Sequence, residues 1–207
     1  EIITETAGLT LHTLRRAAEL VQRFKRSSMD QTSDELRYFE VREVLEDVLA
    51  SLGNRLQTSK VQVIIDCPDK MSIVSVPGLL EQVLINLIQN SLLHGFDEEN
   101  LGGEIYLACS VKKERFCLEY GDDGKGMSKE TANRIFEPFF TTKRGSGGNG
   151  LGMYICYNLV HRHQGTLYCE SELGEGVWFQ LELPTASIAE LEEQKQRIQC
   201  EFCEVDN

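Results

Sequence analysis

Basic residues are scarce in this sequence. Lys and Arg number 21 against 33 Asp and Glu, and the net charge of −12 excludes a general binder of nucleic acid, which needs a basic face. Long apolar runs are missing as well. No stretch approaches the run of about 18 apolar residues that marks a membrane helix, and no signal peptide is visible. This portion therefore reads as cytoplasmic, with membrane contact expected only through upstream segments. A cysteine framework is also lacking. The seven cysteines are scattered through apolar stretches such as Leu107-Ala108-Cys109 and Tyr154-Ile155-Cys156, which reads as reduced thiols in a core. The one C-x-x-C, Cys200-Glu201-Phe202-Cys203, has no second pair, so no metal or redox role is assigned to it. Neither G-x-x-x-x-G-K-[ST] nor the EF-hand spacing occurs, which excludes a P-loop site and an EF-hand.

What is present is 41% hydrophobic residues over 207 positions, enough for one domain with an accessory element. Residues 1–31 read as a long helix. Ile3, Ala7, Thr10, Leu14, Ala17, Val21 and Phe24 form a heptad seam, expected to dimerise as half of a hairpin. Residues 32–185 mix strands and helices. A strand is expected over 37–41 and an amphipathic helix over 42–57. Strands follow at Val61–Ile65 and Met71–Val74, separated by a Cys67-Pro68-Asp69 turn. Pro77 opens a helix to His94. A hairpin joins 104–111 to 115–120 across Lys112-Lys113-Glu114, a helix covers Leu151–His163, and strands at 165–171 and 177–183 pair across Leu173-Gly174-Glu175-Gly176. Without strict βαβ alternation this is α+β, a mixed sheet with helices on one face. Residues 186–207 read as a charged helical tail with few apolar anchors.

Three stretches carry chemistry. In the helix before residue 95, Asn86, Asn90 and His94 recur every four residues on one face. Buried amides need partners, and an amide oxygen can ligate Mg²⁺. Next, Gly121-Asp122-Asp123-Gly124-Lys125-Gly126-Met127 follows a strand. Its D-x-G-x-G lets backbone approach a flat ring while a carboxylate accepts from an exocyclic amine. Third, Thr141–Tyr154 holds five glycines in fourteen residues. Gly145–Gly150 matches G-x-G-x-x-G, but the segment before it, Ile135–Arg144, contains Pro138 and is no buried strand, so a dinucleotide turn is excluded. Gly148, Gly150 and Gly152 lead into a helix whose backbone N–H groups suit phosphate.

The Asn-bearing helix, D-x-G-x-G, Phe136-Glu137-Pro138-Phe139-Phe140-Thr141-Thr142-Lys143 and the final glycines together resemble the ATP-binding domain of sensor histidine kinases. That domain is grouped with the ATPase domains of gyrase, mismatch-repair and chaperone proteins. The resemblance covers about residues 35–184, and residues 1–31 resemble the second helix of the kinase dimerisation hairpin. It implies a Bergerat-type α/β sandwich that binds ATP and Mg²⁺, with Asn90 as metal ligand and Asp122 as reader of the adenine amine. Gly124, Gly126 and Met127 would shape the adenine pocket. Phe136 to Lys143, Arg144, Gly148, Asn149, Gly150, Leu151 and Gly152 would form the lid, with Asn86 and His94 beside the nucleotide. Asn86, Asn90 and Lys143 are the residues expected to serve transfer. The implied partners are a response-regulator receiver domain and a second copy of the chain.

Departures from the family pattern carry information too. Hydrolysing relatives place a glutamate where Asn86 stands, and an amide cannot act as a base, which favours transfer to a side chain over hydrolysis. Leu93 replaces a common Lys or Arg, so phosphate charge is expected from Lys143 or Arg144. Val177 replaces a threonine that helps hold an adenine-bound water. His12, with no proline turn nearby, is read as a packing histidine, and His161 and His163 as helix-end caps. The acceptor histidine is expected on a preceding helix. Two other readings remain: a serine kinase of the anti-sigma-factor type, and a non-catalytic nucleotide-sensing module.

Overall fold

The computed structural model describes residues 35–96, 102–143 and 148–192. The heptad helix with His12, the lid residue Arg144 with Gly145 and Gly147, and the Cys200–Cys203 pair lie outside the described residues.

The alternation of apolar residues builds a five-stranded mixed sheet, in order β2-β4-β5-β7-β6. Its members are β2 (Val61–Asp66), β4 (Gly103–Lys112), β5 (Arg115–Asp122), β6 (Thr166–Ser171) and β7 (Val177–Pro184). β2 and β4 run parallel, and the remaining neighbours are antiparallel. One face presents Ile105, Leu107, Phe116, Leu118, Tyr120, Phe179 and Leu181, all buried. Three helices cover that core: α1 (Val41–Ser59), α2 (Pro77–Asn90) and α4 (Gly152–Arg162), while α3 (Lys129–Arg134) is a short turn of helix. α1 buries Val41, Val44, Leu45, Val48, Leu52 and Leu56, the stripe its three-and-four spacing dictates. Lys60 ends it in a left-handed conformation with φ 55°, its N–H shared by the Gln57 and Leu56 carbonyls.

The fold departs from the sequence reading at four places. The strands either side of Cys67-Pro68-Asp69 do not share a sheet: β3 (Ser72–Ser75) pairs antiparallel with β1 (Arg37–Glu40) as a separate ribbon. Val41, taken as the end of a strand, instead starts α1. The hairpin turn is tighter than expected, since Lys112 pairs with Arg115 and Lys113 and Glu114 both take positive φ, as a two-residue hairpin turn requires. Finally, α2 stops at Asn90, and Ser91–Gly95 forms a π turn closed by the Phe96 N–H on the Ser91 carbonyl at 3.1 Å. His94 therefore leaves the regular helical face it was expected to share with Asn86 and Asn90.

Past Pro184 the chain stays attached. Thr185 N–H donates to the Glu114 carbonyl and Ala186 N–H to Val74, each at 2.9 Å. Ser187 and Glu190 then cap a helix reciprocally: the Ser187 N–H and hydroxyl donate to the Glu190 carboxylate, and Glu190 N–H donates to Ser187 Oγ. Those donors hold the Glu190 carboxyl below its ordinary pKa. Leu191 is buried, an anchor that the charged composition of the tail concealed. Among the described residues no helix is long and apolar enough to cross a membrane.

Candidate functional site

Strand β5 points Phe116, Leu118, Tyr120 and Asp122 to the same buried face. A row that begins as core ends in a carboxylate only 8% exposed. The Gly124 N–H donates to Asp122 Oδ1 at 3.0 Å and the Ser91 hydroxyl donates to Oδ2. Burial pushes the Asp122 carboxyl pKa up; Ser91, Gly124 and Val177 oppose that, while Asp123 adds to it. A carboxylate offers about four lone-pair sites, so the two protein donors leave room for an N–H from a ligand.

Glycines make the surroundings of this carboxylate possible. A Cβ on Gly124 would lie 2.8 Å from the Gly95 carbonyl and 2.9 Å from Asp122 Oδ1. Gly126 and Gly176 have φ of +65° and +79°, and a Cβ on them would collide with the backbone oxygens of Glu172 and Asp122. The loop is tied down by three bonds: Lys125 N–H to Gly95 O at 2.9 Å, Gly174 N–H to Lys125 O at 2.8 Å, and Met127 N–H to Ser171 Oγ at 2.8 Å. Gly176→Ala and Gly174→Ala form a matched pair, because both have positive φ but only Gly176 is crowded. Strained φ costs about 1–3 kcal/mol at either site. The collision at Gly176 is expected to lower its melting temperature by a further ~5 °C or more, read by thermal denaturation of both variants.

A second cluster forms where the π turn meets the segment after Phe140. Thr142 Oγ1 lies 3.2 Å from His94 Nδ1. Burial first, then the charges of Lys143 and Lys125, hold the His94 pKa below its ordinary value. Lys143 N–H donates to Thr141 Oγ1 at 3.2 Å. The two arms of the expected lid meet closely: a Cβ on Gly148 would crowd Thr141 Oγ1, and one on Gly150 (φ +66°) would crowd the backbone of Phe139 and Phe140. Asn149 Oδ1 accepts from Leu151 N–H at 3.1 Å just before α4, so the helix start keeps its N–H groups near Gly152. Phe136 packs its ring on Tyr157 of α4 at 5.0 Å.

The two asparagines differ. Asn86 Nδ2 donates to the Gln82 carbonyl at 2.9 Å, and a Cβ on Gly152 would sit 2.8 Å from its Oδ1. It joins α2 to α4. Asn90 is half-buried at the end of α2. No side-chain hydrogen bond from it to another described residue is formed, so its amide oxygen has the chemistry of a hard-cation ligand in waiting. His161 stacks on Tyr157 at 4.2 Å, and His163 occupies the α4 C-cap.

Sequence reasoning missed Ser91, Tyr120, Gly95 and Gly176. Tyr120 shares the parity of Phe116 and Leu118 and so reads as core; Ser91 looks like filler in an apolar helix. Gly95 and Gly176 carried a signal in hindsight, as glycines directly after a helix and in the last turn before a strand.

A buried acceptor over a glycine floor, flanked by a cationic cluster and an open helix start, defines a nucleotide-binding ATPase-type domain. The chain belongs to the histidine kinase-, DNA gyrase B- and HSP90-like ATPase family, which matches residues 75–187. Within that family its relatives are sensor kinases. A putative sensor protein of Shewanella frigidimarina is 31% identical over 167 residues, 81% of this chain and 25% of that protein. Sporulation kinase E of Bacillus subtilis is 32% identical over 152 residues, 72% of this chain and 20% of that protein. The chain thus spans a quarter or less of these relatives' length. The catalytic domain of histidine kinase ThkA superposes with a TM-score of 0.63 at 26% identity, covering 72% of this chain and 95% of that one. Full-length ShkA in complex with AMPPNP gives 0.67 at 25% identity, covering 81% and 35%.

Proposed function

We propose that this chain is the catalytic part of a sensor histidine kinase, binding Mg-ATP and passing the γ-phosphoryl group to a histidine on another helix, for relay to a response-regulator receiver domain. The observation that carries the reading is Asp122: a buried carboxylate with an acceptor site left for one N–H. Adenine's exocyclic amine supplies such a group. Gly124, Gly126 and Met127 give the ring a backbone floor. The triphosphate runs toward His94, Thr142, Lys143 and Arg144, and the N–H groups at Gly148, Gly150 and Gly152 receive its oxygens, with Asn149 and Leu151 holding the turn between them. Asn90 would hold Mg²⁺, which neutralises charge on the phosphates. Asn86 fastens α2 to the helix start and supplies no base, so water beside the phosphate is not activated. Residues 1–31 would pair two copies, residues 32–185 would be the ATP-binding unit, and 186–207 a tail.

The test is γ-labelled ATP added to the full-length protein. Acid-labile, alkali-stable label on the protein with slow phosphate release is expected. Rapid phosphate release without labelled protein would mark an ATPase instead. In Asn86→Glu, hydrolysis is expected to rise while transfer falls.

The same reading has a pH signature. Burial and two lysines lower the His94 pKa; polyphosphate beside it reverses the sign of that field and raises the pKa. ATP binding near pH 6 is therefore expected to take up protons, seen as a calorimetric enthalpy that varies with the buffer's ionisation enthalpy. The dependence is expected to vanish in His94→Gln.

A further inference from the structure

Tyr120 is fully buried, and its ring meets Phe179 edge-on at 6.2 Å. Packing alone would be served by phenylalanine. The phenol oxygen instead lies 2.6 Å from Ser91 Oγ, which also contacts Asp122 Oδ2. The three groups come from different places: Tyr120 and Asp122 from one edge of β5, and Ser91 from the π turn that interrupts the helix after Asn90.

We propose that Tyr120 is a positioning residue for nucleotide recognition, donating to Ser91 so that Ser91 donates to Asp122 and Asp122 is held as an acceptor for the base amine. This rests on the reading that Asp122 takes that amine. Proton counting gives the direction. An ionised carboxylate only accepts, so the single Ser91 hydrogen goes to Asp122. The Tyr120 hydroxyl has Ser91 as its one partner among the described residues and must donate to it. Both hydroxyl hydrogens then point along one line toward the carboxylate, an arrangement in which each bond polarises the next. The competing acceptors for the Ser91 hydrogen are the Leu87 carbonyl, at a longer 3.3 Å, and the Tyr120 oxygen, whose own hydrogen would then have no acceptor among the described residues.

The alternative state is the one the base cannot use. If Asp122 is protonated on Oδ2, its hydrogen points into Ser91, and Ser91 must turn to Leu87. Removing the Tyr120 hydroxyl removes the donor that polarises the Ser91 O–H, so Ser91 donates more weakly to the ionised carboxylate and the neutral acid gains. Burial already favours the neutral acid, and the Ser91 hydrogen bond opposes it most. The other titratable groups whose charge reaches Asp122 are Asp123 on the following loop, Tyr120 and Cys169 on β6. Cys169 is pushed up to about 12 by burial and Tyr120 well above its ordinary value, so both stay neutral between pH 5 and 8. Asp123 and His94 are untouched by the substitutions below.

The experiment measures ATP affinity of the full chain by calorimetry from pH 5 to 8.5, for the parent, Tyr120→Phe, Ser91→Ala and the double variant, with melting curves for each. In Tyr120→Phe, affinity at pH 8 is expected to stay within about threefold of the parent, while the acid midpoint moves up by roughly half a unit, a ~3-fold loss below it. Ser91→Ala is expected to move it further. The double variant is expected to match Ser91→Ala, because Tyr120 acts only through Ser91. An unchanged pH profile in Tyr120→Phe, or the same loss at every pH, would overturn the proposal, as would additive effects in the double variant. If Ser91→Ala does not fold, the profile of Tyr120→Phe, which removes one oxygen and keeps the ring, decides alone. Asp122→Asn run alongside separates the two ideas: if it binds ATP like the parent, the base assignment itself is wrong whatever Tyr120 does.

Discussion

Asp122→Asn is expected to weaken ATP binding by roughly 10²–10³-fold while the domain stays folded. The first part of that loss is a charge-assisted hydrogen bond to the ligand, about 1.5–3 kcal/mol. The second is a polarity conflict. Two protein donors converge on this side chain from Ser91 and Gly124, and an amide brings two N–H groups of its own into their midst. One of them ends facing either a protein donor or the ligand's amine, a mispairing of about 1–3 kcal/mol. Together these reach a few kcal/mol, at 1.4 kcal/mol per tenfold. Stability at neutral pH moves in a different sense. Because burial raises the Asp122 pKa, its favourable contribution is full below the unfolded value and lost as pH rises through the folded one. At pH 7 the ionised group is a burden on the fold, and neutralising it removes no stabilising charge. Calorimetry with ATP and GTP, beside melting curves at pH 7, checks both halves. The parent is expected to reject GTP, whose ring places a carbonyl against the carboxylate, and the variant to discriminate less. Equal ATP affinity in a folded Asp122→Asn protein would sink the base assignment.

Asn90→Ala is expected to slow phosphoryl transfer by the full-length protein by about 100-fold or more, with metal-free nucleotide binding changed by less than about threefold. Catalysis of phosphoryl transfer is mostly positioning and electrostatic stabilisation, and a divalent cation supplies several kcal/mol of it. The amide is half-buried and forms no side-chain hydrogen bond within the described fold, so truncating it leaves no orphaned protein partner. Asn86 is the contrast. Its amide is engaged with the Gln82 carbonyl and lies against Gly152 at the start of α4, so Asn86→Ala is expected to act on the α2–α4 junction and to lower the melting temperature as well. Rapid-quench transfer assays over a range of Mg²⁺ concentration separate the two. Transfer that proceeds at the parent's rate in Asn90→Ala would make that residue a structural amide.

Local order was legible wherever one residue's neighbours in sequence are also its neighbours in space. The apolar stripes of α1 and α2, the alternation along β4, β5 and β7, and Pro77 at a helix start all follow from the 3.6 and 2.0 periods. The capping box at Ser187 and Glu190 is of the same kind, although the charged surroundings hid it. The chemistry-bearing motifs were legible for a related reason. D-x-G-x-G at Asp122 and the glycines through Gly152 are contiguous, and only glycine accommodates the conformations and close approaches that Gly126 and Gly150 adopt.

What the sequence by itself determined, then, is a mixed sheet under amphipathic helices, a carboxylate at a strand end, and glycine turns fit for a nucleotide. Tertiary structure alone decided that β3 leaves the main sheet to pair with β1, that the helix carrying Asn86 and Asn90 breaks into a π turn, and that Tyr120, Ser91 and Asp122 meet. Those outcomes depend on contacts between residues 29 and 31 positions apart and on which strand edge is free to pair. Neither propensity nor period encodes them. A serine after an asparagine and a tyrosine in a core row each look ordinary in sequence, and only folding, by burying their hydroxyls where no water can satisfy them, obliges the two to bond to each other and to the carboxylate.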